Sequence, residues 1–171
     1  MLLLSSLLGI FWFVLALCFI YIIVRPQVGG AVYFETNRQD VEIIMRLLSL
    51  KSGERVSDLG SGDGRILIAS AKKGIEAHGY EIDPLLVWKS RLRIRRARLG
   101  HKAYVHWKSF WKVDLSGFDA VVVYGKPGIM ERLRKKFESE LKPGSRVVSN
   151  VYPIPGWQPK LVEKRIQLYV I

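Results

Sequence analysis

Apolar residues fall in two rhythms along this chain, and each rhythm names an element. Val41, Ile44, Leu47 and Leu48 recur at helical spacing, which predicts a helix to about Leu50. Thr36-Asn37-Arg38-Gln39 ahead of it has the form of a capping box, with Thr36 as N-cap and Gln39 reaching back. Strands are predicted at Arg55 to Leu59, Glu76 to Glu81, Ala103 to His106, Ala120 to Tyr124, which is almost wholly apolar, and Arg146 to Ser149. Between them lie helical stretches from Arg65 to Lys73, from Asp83-Pro84 to Gly100, and from Gly128 to Leu141. The alternating tail from Val162 to Ile171 suits one or two closing strands. Strands alternating with helices predict a mostly parallel sheet with helices on both faces, an α/β fold.

The amino-terminal pattern is different. Leu2 to Val24 carries no charge, and its 23 residues exceed the roughly 20 that cross a bilayer core. No basic residue precedes it and no small-residue cleavage pattern follows, so the reading is an uncleaved transmembrane helix rather than a signal peptide. The expected organisation is an anchor over 1–24, a linker over 25–35 containing Pro26, Gly29 and Gly30, and a catalytic domain over 36–171. All 27 Lys and Arg residues follow the anchor, which predicts a single-pass membrane protein with its domain on the cytoplasmic or equivalent side. The absence of an Arg- and Ser-rich leader favours a prokaryotic plasma membrane over a mitochondrial inner membrane.

Charge adds partners to that picture. A net charge of +12 favours acidic surfaces, and next to an anchor the expected one is anionic membrane lipid, with nucleic acid less favoured. The helix carrying Lys89, Arg91, Arg93, Arg95, Arg96 and Arg98 spreads its charge over several faces, as a solvated or lipid-docking surface does. The single cysteine, Cys18, and three histidines without ligand spacing predict neither a disulfide framework nor a metal site.

Candidate chemistry concentrates at Asp58-Leu59-Gly60-Ser61-Gly62-Asp63-Gly64, a glycine-rich turn between the first strand of the sheet and a helix. Such a turn sits where α/β sheets bind nucleotide-like ligands. A dinucleotide site wants a third glycine where Arg65 stands, and no Gly-Lys-Ser/Thr follows for a P-loop. The remaining D-x-G-x-G-x-G pattern resembles motif I of the seven-strand S-adenosylmethionine-dependent methyltransferases. Glu81, 17 residues past Gly64 at the end of the second strand, is placed to accept both ribose hydroxyls.

Three blocks narrow the likeness: D-L-G-S-G-D-G-R-I, then A-K-K-G, then G-Y-E-I-D-P-L-L-V-W. With Phe110-Trp111-Lys112-Val113, Tyr124-Gly125-Lys126-Pro127 and Pro153-Ile154-Pro155-Gly156-Trp157-Gln158-Pro159, they resemble the membrane-anchored protein-lysine methyltransferases related to those of the adenine nucleotide translocase and the ATP synthase c-subunit. The resemblance implies a class I Rossmann-like methyltransferase fold and S-adenosyl-L-methionine as cofactor. It further implies that Asp58, Gly60, Ser61, Gly62, Asp63 and Gly64 hold the methionine part, with Glu81 on the ribose and Ile82 beside the adenine. Ser109, followed by Phe110, stands where the family's fold usually has an acidic adenine contact. Tyr33 and Thr36 carry over from an element near the cofactor whose proline is missing here. The family's closing Trp-Ala-Tyr-Asp is also absent.

Methyl transfer from a sulfonium chiefly needs alignment and exclusion of water. Tyr124, at the end of the fourth strand, is the expected acceptor-side wall and a candidate catalytic residue, with Asp63 and Glu35 candidate bases by position. The adjoining segment lacks the Asn/Asp of enzymes that methylate adenine or glutamine amides, which disfavours planar amines. Trp107, Trp111 and Trp157 are core residues by default and an acceptor channel otherwise. The expected function is methylation of lysine on a protein at the membrane. The alternatives are a lipid, quinone or nucleic-acid acceptor, or a non-catalytic cofactor-binding scaffold.

Overall fold

A computed structural model of the protein describes residues 2–29 and 36–171, with side chains over 8–21 of the first helix. It divides into two units, Met1–Gly30 and Ala31–Ile171. The first holds α1 (Leu2–Gly29). Helix continues through Arg25 and Pro26, where the sequence predicts a linker; proline's fixed φ of about −65° is itself helical. Among the described residues no helix is long and apolar enough to cross a membrane. That finding corrects the single-pass anchor over 1–24, the membrane location and the lipid partner inferred from them.

The second unit runs α2 (Arg38–Leu48), β1 (Arg55–Leu59), α3 (Arg65–Lys72), β2 (Glu76–Glu81), α4 (Pro84–Arg96), β3 (Ala103–Trp107), a 3-10 turn (Phe110–Lys112), β4 (Ala120–Val123), α5 (Pro127–Glu140), β5 (Arg146–Asn150), β6 (Leu161–Glu163) and β7 (Ile166–Val170). The strands form one mixed sheet in the order β3-β2-β1-β4-β5-β7-β6. The first five are parallel; β7 runs antiparallel to β5, and β6 antiparallel to β7. Strand order reverses between β1 and β4, and the crevice at such a switch point is the ligand site of open α/β sheets.

Alternation along the strands sorts the core into two layers. Val56, Ala120, Val122, Val148 and Leu168 face α2, α3 and α4, packing against Ile44, Leu48, Leu67 and Val87. Leu59, Val121, Val123, Val147 and Tyr169 face α5, meeting Met130, Leu133 and Phe137. Burial on both faces explains why β4 is a continuous apolar run, Ala120-Val121-Val122-Val123. The Pro153 to Pro159 segment is part of the second layer: Ile154 is buried, its amide donating to Tyr169 Oη at 3.1 Å. Trp157 packs near Phe137 and Tyr169 and donates to Glu138.

The α2 cap is one residue further on than the capping box predicts. Asn37, not Thr36, is the N-cap, and its side chain accepts the Asp40 amide at 2.8 Å. Asp40 occupies the position expected of Gln39 and pairs with Arg165 at 2.7 Å, while Gln39 accepts from Lys164. The helix ends at Ser49 in a left-handed conformation (φ 45°). Replacing Asn37 by Ala is expected to cost about 1 kcal/mol, whereas Thr36→Ala leaves the cap intact; chemical denaturation of the two variants distinguishes the registers.

Candidate active site

The turn that begins at Gly60 is fastened to β2. The amides of Gly60 and Ser61 both donate to the Tyr80 carbonyl, at 2.9 and 3.2 Å. Gly60, Gly62 and Gly64 take φ of 85°, 54° and 81°, which side chains resist. Gly64 has a packing reason as well. A Cβ there would lie 2.2 Å from Ser90 Oγ, so its lack of a side chain lets α4 pack against the start of α3.

Glu81 closes the turn from the other side. Its Oε2 accepts the Gly62 amide at 2.9 Å, and its Oε1 accepts the amides of Ile82 at 2.7 Å and Asp83 at 2.9 Å. A carboxylate offers about four lone-pair positions, so three amides leave about one for a ligand. Ile82 is half-buried, and its carbonyl receives the indole N–H of Trp107 at 3.1 Å. Trp107 itself is 61% exposed, beside the position expected for an adenine ring.

Asp63 is buried and held by three cations: Arg93 at 2.5 Å, Arg65 at 3.2 Å and Lys89 at 3.3 Å. In the sequence, Lys89 and Arg93, one helical turn apart on α4, are legible only as members of a basic helix. Arg65 also donates to the Thr36 carbonyl at 2.9 Å, which brings the start of α2 to the turn. Tyr33 and Glu35 lie outside the described residues.

Asp58 ends its side of β1 differently. Among the described residues it is the one carboxylate with neither a hydrogen bond nor an ion pair, and burial, then Glu81 and Asp63, push its pKa up to about 7. Tyr124 follows β4, half-buried on the α2 side, where burial pushes its phenol up and Arg165, Tyr152 and Asp40 act on it electrostatically. Such a phenol is neutral at pH 7 and serves as a hydrogen-bonding group. Ser109 precedes the 3-10 turn without capping it, and Phe110 is core, 4.8 Å from the Trp111 ring. Trp111 is stacked by Arg132, 4.0 Å from the ring centroid. Asn150, buried at the end of β5, escapes the sequence reading; its one signal there is a polar residue closing an apolar strand.

Because Asp58 holds its proton more tightly folded (about 7) than unfolded (about 3.8), it contributes stability that is present below pH 4 and lost as pH rises to 7. Asp58→Asn is therefore expected to raise the melting temperature of the ligand-free protein at pH 8 and to leave it nearly unchanged at pH 4, as read by calorimetry.

Comparison with known proteins agrees with this geometry. A family model described as the ANTKMT methyltransferase domain matches residues 58–161. The mouse lysine N-methyltransferase of the ATP synthase c-subunit is 39% identical over 150 residues, covering 84% of this chain and 60% of the mouse protein. A protein-lysine N-methyltransferase of Saccharolobus islandicus is 34% identical over 149 residues, covering 81% of this chain and 92% of the archaeal one. Among solved structures, an RNA methyltransferase from Salinibacter ruber in complex with S-adenosyl-L-homocysteine superposes with a TM-score of 0.77 at 29% identity, covering 81% of this chain and 94% of that one. The strand order, the glycine turn capped by Glu81 and these likenesses converge: the chain belongs to the ANTKMT methyltransferase family, on the class I Rossmann-like fold.

Proposed function

We propose that this protein is an S-adenosylmethionine-dependent protein-lysine N-methyltransferase. The observation that carries the cofactor is Asp58. In a chain with a net charge of +12, every other described carboxylate has a donor or a cation beside it, yet this buried one has neither and stands beside two more acids. An isolated buried acid of this kind suits a ligand that brings its own positive charge, and S-adenosylmethionine carries a sulfonium and an ammonium.

When bound, the cofactor supplies a methyl on sulfur, a good leaving group. The chain's residues do the rest. Asp58 faces the cationic end, the turn amides from Gly60 to Gly64 border it, and Glu81 receives the ribose. Because Gly62 occupies one of the Glu81 positions that a diol needs, a two-hydroxyl contact requires that amide to give way. Ile82, Trp107 and Ser109 border the adenine, whereas Phe110 supports them from the core. Asp63 acts through its three cations as a brace between the turn and α4, and Tyr124 walls the acceptor side. The unit over 36–171 is the catalytic domain, with Thr36 tied to the turn through Arg65.

The acceptor class rests on the relatives. The chain spans 60% of the length of the mouse c-subunit enzyme but 92% of the archaeal protein-lysine enzyme, so the latter supports the reading over nearly a whole protein. A mouse adenine nucleotide translocase lysine N-methyltransferase is 40% identical over 131 residues. Lysine on an energy-transducing membrane protein is accordingly the favoured target. A second reading, an RNA acceptor, has the 29%-identical Salinibacter structure behind it, at lower identity than the lysine enzymes.

Incubation with methyl-tritiated S-adenosylmethionine and the detergent-solubilised c-subunit of ATP synthase is expected to label a lysine. Glu81→Ala should reduce cofactor affinity by about tenfold or more, since it removes a charged acceptor and strands three amides, and should abolish labelling. Label resistant to protease and released by nuclease would replace the lysine reading with the RNA one.

A further inference from the structure

We infer that Asn150 is an acceptor-contacting residue, whose side-chain carbonyl orients the amino group of the target lysine. The inference rests on the lysine-methyltransferase reading and adds to it a residue that neither the turn nor the β4 end supplies.

Sheet register brings Asn150 to the site. Asp58, Val122 and Val148 form one row across β1, β4 and β5, and Leu59, Val123 and Ser149 form the next. One residue beyond that last paired row stand Gly60 and Tyr124, past the ends of β1 and β4, and Asn150, the last residue of β5. Alternation puts Asn150 on the face of Val148, the α2 side, where Tyr124 feels Asp40 and Arg165. On β7 its ladder partner is Ile166, adjacent to Arg165.

Two independent features mark the residue as more than packing. Asn150 is 1% exposed, and neither its Oδ1 nor its Nδ2 has a hydrogen-bond partner. Leaving a buried amide unsatisfied is costly, and such groups call for an explanation in function. The next residue, Val151, has φ 80°, a conformation that a β-branched side chain strongly resists. That strain is held in place by the Val151 amide donating to the Arg165 carbonyl at 2.9 Å and by Ser149 Oγ donating to the Tyr152 carbonyl at 2.5 Å. Strain retained by surrounding bonds fixes where β5 ends, and with it where the amide is held.

The chemistry matches the fixture. A lysine ammonium first loses a proton to solvent. Its nitrogen lone pair then forms the new C–N bond as the C–S bond breaks, the bonding pair remaining on sulfur, and the secondary ammonium produced sheds its extra proton. An amide oxygen accepting one N–H of the neutral amine directs the lone pair away from itself, toward the methyl. Asn150 therefore supplies from β5 the carbonyl that amide- and adenine-methylating enzymes place on the β4 segment.

Asn150→Leu keeps the forked shape and removes the polar atoms, and Asn150→Asp keeps an oxygen at the same place. With the ATP synthase c-subunit as acceptor, Asn150→Leu is expected to lower kcat/KM by about tenfold to a hundredfold, with S-adenosylhomocysteine affinity by calorimetry unchanged and Tm not reduced. Asn150→Asp should recover part of the lost turnover. Wild-type turnover in Asn150→Leu, or a Tm that falls together with activity in both variants, overturns the inference. A second arm needs no turnover: adding N-acetyl-lysine methylamide to the S-adenosylhomocysteine complex should shift the Asn150 side-chain amide pair in 15N NMR spectra, identified by its loss in Asn150→Leu. An unmoved pair overturns the role of Asn150. An active-site shift without c-subunit labelling instead removes only that acceptor.

Discussion

The buried carboxylate of Glu81 is the contact on which the site depends. It ends β2, yet it accepts an amide from the β1 turn and two from its own, so two loops from neighbouring parallel strands share one charge. Hydrogen bonds to a charged acceptor are worth roughly 1.5–3 kcal/mol each, more than neutral ones. Without that acceptor, the Gly62 amide would be buried with no partner from its own strand. The tight turn is therefore a product of two strands in register, not of the glycines alone; glycine permits the positive φ values and Glu81 gives the chain a reason to adopt them.

Around this contact the charges divide into two classes. Asp63 is surrounded by Arg65, Lys89 and Arg93, and Asp40 by Arg165 and Asn37; both join separate elements. Asp58 lies within reach of the same acids but of no cation. Asp63 and Glu81 have cations or amides around them, whereas Asp58 has neither, and burial together with those two acids raises the cost of ionising it. Stability is lost there, and affinity for a cation is gained.

Much of this is legible in the sequence. A nearly continuous apolar run locates β4, which is buried on both faces, and a period-3.6 rhythm locates α2, which buries one face. The alternating tail corresponds to the two closing strands, β6 and β7. The α2 cap slips by one because Thr36 and Asn37 are both good caps and Gln39 and Asp40 both sit where a box closes; Arg165, 125 residues away, selects Asp40. The apolar run at the amino terminus reads as a span, and among the described residues no helix meets the length and apolarity that a span requires. The clamp on Asp63 is not legible, because helical phase along α4 does not say which face meets the turn.

Asn150 shows the deeper limit of reading along the chain. The sequence after β4 lacks an Asn or Asp, and by that measure the acceptor side has no amide. Sheet order reverses the conclusion: β5 lies beside β4, their last paired residues are Val123 and Ser149, and the next residue of each chain is Tyr124 on one and Asn150, 26 positions later, on the other. What a site requires is a carbonyl at a point in space, held against thermal motion. A strained Val151 and a buried strand end meet that requirement as well as a motif would, and neither has a signature that adjacent residues can spell.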